Sequence, residues 1–396
     1  MDRFPRHLRL CAAAAGSLLA LAPTALTPTA LAGTPPHHAH TPRPRARPAP
    51  QVTGRMAGML RLGDGRRTYH ASRHQLGVSY AQGSSEATPI SQVRFHVDRA
   101  RLRHYLNGLA MDIRRSPRSA RAVVARADTS DDGMNQVPAR IVPGYDGAVL
   151  DTDAAVDQIQ KTLEAAPDVV HIVLPVKVKP ARITTADLKG IDARIGYFVT
   201  RFDPGNEGRT LTVRRAIGII DGTVVPPRAI FSVDKTVGPR DPAHGFNGKS
   251  AVFIDGHEEM QSGGGMCQVA TTLFNASMLA DLKIVERHPH VRTVPYADPG
   301  RDATIYHGEK DFRIQNNTDA PLLICYKTTR SRAVVSLFGK AVPGRRVRLV
   351  ASHRRLGERH YVGTFNRIVY NADGTKQRGS PIRSDYRWPE TLDFNR

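Results

Sequence analysis

Residues 263–276 read Gly-Gly-Gly-Met-Cys-Gln-Val-Ala-Thr-Thr-Leu-Phe-Asn-Ala, three glycines that run straight into Cys267. Val269, Leu273, Ala276 and Ala280 then recur every three to four residues, which predicts a helix with one apolar face. Cys267 falls in its first turn. There the unpaired backbone N–H groups and the positive end of the helix dipole favour a thiolate over a thiol. Without a Cβ, Gly263, Gly264 and Gly265 can take positive φ and let a ligand come close to the backbone, so they are candidate ligand contacts. A cysteine nucleophile needs a base and a group that orients the base. His288 and His290 follow Cys267 by 21 and 23 residues, room enough for a helix and a returning strand. The backbone N–H groups of Cys267 and Gln268 form a candidate oxyanion site. Arg287 and Arg301 are candidates for holding an anionic ligand, with local pairing to Glu286 and Asp302 as the plain alternative.

The same residues admit other chemistry. Beyond residue 32 only two cysteines remain, Cys267 and Cys325, and in an oxidising compartment a pair invites a disulfide. Cys325 lies in Leu322-Leu323-Ile324-Cys325-Tyr326, a predicted strand in which a free thiol acts as a small hydrophobe. A zinc site from Cys267, His288 and His290 lacks a recognised ligand spacing, so no metal is expected. A glycine-rich helix entry suits phosphate. This one lacks the Lys-Ser/Thr ending of a nucleotide loop, so no nucleotide or other cofactor is expected.

A chain of 396 residues is long enough for two or three domains. Arg3, Arg6 and Arg9 precede a short apolar run, and Ala30-Leu31-Ala32 is a small-x-small cleavage site. Residues 1–32 therefore read as an export signal cleaved after Ala32, with an uncleaved anchor as the alternative. The run is too short to span a bilayer comfortably, and no second stretch is long and apolar enough for a stable membrane span. The formal charge of +21 is strongly basic. For a secreted protein that points to anionic wall polymers and phospholipid head groups as surroundings, with solubility and loose wall association as the plainer reading, ranked above specific polyanion recognition. Export, and the lack of stacking-aromatic or zinc-finger motifs, exclude nucleic acid as a partner.

Residues 33–89 are predicted to be a disordered Pro/His/Arg-rich tether followed by weak strands. A first domain is placed at residues 90–182. Asp98 caps one helix, Asp151 or Asp153 a second, and the order is β-α-β-β-α-β. A second domain is placed at residues 198–346, with hairpin strands flanking the Asn-Asn-Thr-Asp turn at 316–319. Residues 347–396 are a C-terminal extension of edge strands with a turn at Asn371-Ala372-Asp373-Gly374. The predicted fold class is α+β: two α+β domains, helices packed on mixed or antiparallel sheets, after a disordered N-terminal tether.

Six segments in one order carry a family resemblance. They are the glycine–cysteine stretch together with Phe231-Ser232-Val233, Val237-Gly238-Pro239-Arg240, Glu286-Arg287-His288-Pro289-His290, Gly300-Arg301-Asp302-Ala303-Thr304 and Asn316-Asn317-Thr318. Over residues 198–346 the chain resembles the VanW family, named for an accessory gene of glycopeptide-resistance clusters. Residues 92–182 resemble the peptidoglycan-binding domain that often precedes VanW. The resemblance implies a cell-envelope protein, secreted and wall-associated, whose partners are peptidoglycan or its precursors. His290 matches the family motif better than His288 and becomes the expected base. Asp302, in the Gly-Arg-Asp-Ala motif, becomes the expected orienter. His288, Asp311 and Gln268 stand as substitutes. The order Cys, His, Asp looks like papain-like and transglutaminase-like enzymes, which implies acyl transfer or amide hydrolysis. The rival expectation is a binding scaffold for wall precursors without turnover, in which Cys267 is packed or disulfide-bonded.

Overall fold

The computed structural model describes residues 58–80, 94–124, 135–254 and 257–388. The predicted export signal and the Pro/His/Arg-rich tether up to residue 57 lie outside them. Among the described residues the chain forms five α-helices: α1 (Arg99–Ile113), α2 (Thr152–Ala165), α3 (Glu207–Ile220), α4 (Val233–Val237) and α5 (Met266–Leu279). Each of the first four starts at a residue whose side chain accepts from first-turn N–H groups: Asp98, Asp151, Asn206 and Ser232. With several antiparallel and mixed sheets around them, the fold is α+β.

Helix α5 is the centre. Its sequence predicts one apolar face, yet every residue except Cys267 is buried. Three layers close on it. A six-stranded antiparallel sheet runs in the order Thr223–Val225, Leu322–Thr328, Arg332–Gly339, Ala193–Arg201, Val137–Val142, Arg121–Val124. Gly196 lets that sheet touch the helix, because a Cβ there would sit 2.4 Å from the Ala276 carbonyl oxygen. A small sheet of Ile230–Ser232, Arg313–Gln315 and Lys283–Glu286 lies on another side. The last strands form a third sheet, and Phe365 from it reaches the core, where its ring lies 5.5 Å from that of Phe274. Phe312 of the segment leading into the small sheet meets the same ring at 5.6 Å.

Several expectations change. The strands expected between the tether and residue 89 do more than form a weak hairpin. Strand Met59–Gly63 pairs with Thr68–Ser72 and, in parallel, with His171–Val173. Leu60, Leu62, Leu76 and Val78 share a core with Leu102 and Leu106 of α1 and Val156 and Ile159 of α2. The 182/198 boundary is also crossed: strands Arg121–Val124 and Val137–Val142, expected in the upstream domain, extend the six-stranded sheet. The connector between is packed, with Ile183, Leu188 and Ile191 against Leu323 and Phe338. The turn at 316–319 does not join a hairpin, because its flanking strands enter different sheets. Buried Asn316 spends its amide on the carbonyls of Val225, Pro226 and Ala320, which fixes a crossover instead. The C-terminal strands form their own sheet rather than edges of the first, although the turn at 371–374 is a hairpin as expected.

Phe274 carries the joint between the three layers. Replacing it with Ala is expected to cost about 3–5 kcal/mol, as for other buried aromatic truncations. Urea unfolding followed by circular dichroism checks this, and an unchanged midpoint would contradict the packing described.

Candidate active site

The glycine entry sets the position of Cys267. Gly265 caps α5 at φ 107°, and a Cβ there would lie 2.8 Å from Val213. Gly264 would place one 1.8 Å from the Ser250 hydroxyl. These glycines are packed turn residues, not an open cradle, which corrects their expected role as ligand contacts. Cys267 follows as the second residue of the helix, partly accessible, with its thiol donating weakly to the Ile305 carbonyl at 3.6 Å.

The Cys267 sulfur and the His290 imidazole are close enough to interact. His290 Nδ1 lies 2.6 Å from Asp302 Oδ2, and the same oxygen accepts the His290 backbone N–H at 2.8 Å. With Nδ1 committed to the carboxylate, Nε2 is the ring nitrogen left for the sulfur. The other Asp302 oxygen accepts from Arg287 Nη2 at 2.8 Å and from the Tyr386 hydroxyl at 2.5 Å. Asp302 is 1 % exposed. A carboxylate buried so fully must have all its lone pairs met, and here it does.

Burial pushes the Asp302 carboxyl up, but the His290 bond and charge and the Arg287 guanidinium outweigh it and hold it at about 2. Burial pushes the His290 imidazolium down, and its bonds to Asp302 and Cys267 raise it to about 9. Burial also pushes the Cys267 thiol up, yet the His290 bond and charge bring it below its ordinary value. The arrangement therefore favours a thiolate–imidazolium pair, helped by the dipole of α5. The Cys267 N–H has no hydrogen-bond partner among the described residues and is available as an oxyanion donor. The Gln268 N–H is taken by the Gly265 carbonyl at 3.1 Å, which removes the second donor expected.

The structure thus brings together Cys267, His290 and Asp302. It does not bring in the substitutes. His288 Nε2 pairs with Glu286 at 3.0 Å. Asp311 accepts from the Ser232 hydroxyl and the Asp234 N–H and caps the start of α4. The Gln268 amide is spent on Arg209, Thr200 and the Arg201 carbonyl. Arg287 is corrected from a ligand-binding to a supporting residue. Its guanidinium is 4 % exposed and bonds Asp302, Ser384 and backbone carbonyls. Arg301 bonds Asn275 Oδ1 at 2.9 Å and lines a cleft of about 530 Å³. That cleft, walled also by Phe198, Asp298 and Tyr361, shares Tyr296 with the site. The Tyr296 hydroxyl is 3.4 Å from His290 Nε2. Burial first, then the Cys267 charge, raises its phenol well above the usual value, so it stays neutral and can donate.

Cys267 and Cys325 are both free thiols, so the disulfide alternative does not hold. Burial pushes Cys325 up to about 12, as befits an inert core thiol. Among the described residues no cluster of His, Cys, Asp and Glu is arranged to hold a metal ion, and no helix is long and apolar enough to cross a membrane. Tyr296, Arg209 and Tyr386 had no signal in the sequence. Tyr296 and Arg209 sit outside any motif, and Tyr386 arrives from a strand 84 residues beyond Asp302.

An α+β domain with a cysteine, a histidine and an aspartate linked in series at a helix N-terminus defines the class of site. The chain carries a VanW-like domain: residues 208–338 match the VanW-like protein family. It is 39% identical over 158 residues to the uncharacterized protein YoaR of Bacillus subtilis (strain 168), covering 40% of this chain and 52% of that protein. It is 27% identical over 143 residues to the vancomycin B-type resistance protein VanW of Enterococcus faecalis (strain ATCC 700802 / V583), covering 35% of this chain and 51% of that protein. The chain thus spans about half the length of the curated relatives it matches. No solved structure matches it.

Two measurements test this geometry. Iodoacetamide labelling of Cys267 should stay fast below the ordinary thiol value. Asp302→Asn should slow it about tenfold near pH 7 for each unit by which the thiol rises. A wild-type profile that titrates as a free cysteine would contradict the pairing. Asp302 also ties stability to acidity. Its folded value of about 2 lies below the ordinary 3.8, so its stabilisation is present above pH 4 and lost as pH falls through 2. The difference is ~2 kcal/mol. Urea midpoints of wild type minus Asp302→Asn should therefore shrink between pH 5 and pH 2.

Proposed function

We propose that this is an exported cell-envelope protein whose VanW-like domain performs cysteine-dependent acyl transfer or amide hydrolysis on peptide stems of peptidoglycan or its precursors. The observation that carries the reading is the Asp302 carboxylate, saturated on both oxygens and holding His290 by Nδ1 beside Cys267. In the first step the Cys267 thiolate adds to an amide carbonyl, with the Cys267 N–H facing the developing oxyanion. The His290 imidazolium gives its proton to the departing amine, which leaves a thioester on Cys267. Water or an acceptor amine then attacks the thioester, His290 takes its proton, and the thiol returns. Asp302 keeps the tautomer throughout and is not itself protonated. The cleft beside Tyr296 is the place for the rest of the substrate. The wall setting is drawn from the relative named as a vancomycin resistance protein, from the apolar-run leader and from the basic charge. Helices α1 and α2 with their strands are proposed as the wall-docking part.

A non-catalytic scaffold for the same precursors is the second reading. The observation in its favour is that Cys267 is not among the residues lining the cleft. Incubating wild type and Cys267→Ala with defined muropeptides, followed by mass analysis, separates the two. Turnover lost in the variant supports the enzyme. Equal binding by both proteins with no change in mass supports the scaffold.

A further inference from the structure

The C-terminal sheet has two unlike faces. Strand His360–Tyr370 is central, with Arg346–Gly357 along one edge and Lys376–Arg378 and Ile382–Arg387 in line along the other. Side chains alternate on a strand, so register assigns every residue to a face. One face holds Val347, Phe365, Val369 and Tyr386, all buried against the body of the protein. The other holds the cations. Arg346, Arg348 and Arg354 lie on the first edge, opposite Tyr370, Ile368 and Val362. Lys376 and Arg378 lie beyond Tyr370 and Ile368, and Arg383 and Arg387 beyond Thr364 and His360. The rings confirm the assignment, since Arg346 and Lys376 both sit over Tyr370, at 5.6 and 5.8 Å.

These seven cations are exposed, and Asp385 is the single acid on their face. Arg387 pairs with it; the other six make no ion pair among the described residues. Between the two cationic edges runs the uncharged line Val362, Thr364, Asn366, Ile368, Tyr370, half-buried along its length, with Asn366 buried at its middle. Strand geometry makes that line roughly 27 Å long, with its flanking edges about 10 Å apart; Arg346 and Arg348, and Lys376 and Arg378, are about 7 Å apart along their edges, and the remaining gaps are roughly 14 to 20 Å. Like charges gathered on one face repel one another, and among the described residues only Arg387 has an acid to offset it.

We propose that this face binds a linear polyol-phosphate polymer lying along the central strand, its phosphates held alternately by the two cationic edges. An extended chain fits a track of this shape better than the other polyanions do. A bilayer surface calls for apolar side chains to insert, and the one exposed apolar residue nearby, Leu356, is at the hairpin tip and off the track. Single-stranded nucleic acid calls for free aromatic faces, and the track's one ring, Tyr370, is already covered by Arg346 and Lys376. The proposal does not depend on chemistry at Cys267.

The test uses the full chain and fluorescently labelled poly(glycerol phosphate) in an anisotropy titration across salt. Arg348→Gln, Arg378→Gln and Arg383→Gln are combined in one variant. Arg66→Gln, Arg121→Gln and Arg214→Gln form a control with the same net charge and exposed positions elsewhere. The face variant should lose affinity tenfold or more, and its log–log salt slope should fall by about 2, from three lost phosphate contacts. The control should lose less than threefold. Equal losses in the two variants would overturn the proposal. So would tighter binding to phosphatidylglycerol vesicles or to single-stranded DNA of equal charge than to the polymer.

Discussion

A single buried negative charge organises this protein. Asp302 is almost wholly removed from water, and an unpaired carboxylate in such a place is prohibitively unfavourable. Its four donors come from far apart: Arg287 and His290 from the segment after the small sheet, and Tyr386 from the end of the chain. Gly300 joins the same knot, donating its N–H to the Tyr386 hydroxyl at 2.5 Å. Satisfying one carboxylate therefore fixes three segments against each other. The imidazole orientation follows from that, with Nδ1 on the carboxylate and Nε2 left free of it.

Helix α5 is the second constraint. A helix buried all round has polar residues that must find partners inside, and it solves this locally. Thr272, Asn275 and Ser277 donate back to carbonyls one turn earlier. Thr271 exchanges two bonds with Ala303, next to Asp302 in sequence. The loop carrying the carboxylate is thereby stitched to the helix carrying the thiol. Cys267 is the one residue of the helix left partly open, at the end where the dipole acts.

Much of this was legible in the sequence where the signal is local. The helix start at the glycines, the caps at Asp98 and Asp151, and the hairpin at 371–374 depend on neighbours a few residues away. The meeting of Cys267, His290 and Asp302 was anticipated through motif order, which periodicity alone does not supply. What stayed hidden was long-range. Asn316-Asn317-Thr318-Asp319 has turn chemistry, but the buried amide of Asn316 uses it for a crossover. Leu60 and Leu62 alternate too briefly to announce a core strand, and only pairing with His171–Val173 makes them one. Arg287 looked like a ligand arginine because sequence shows charge and hides burial.

The Tyr386 hydroxyl has a bearing on how the chain can be divided. The shared family segment stops at residue 338, but the donor that completes the Asp302 knot, and the Phe365 ring that closes the core beside Phe274, both come later. Similarity and physical integrity thus end at different places. A fragment trimmed to the recognisable stretch would retain all three members of the linked trio while losing the scaffolding that aligns them.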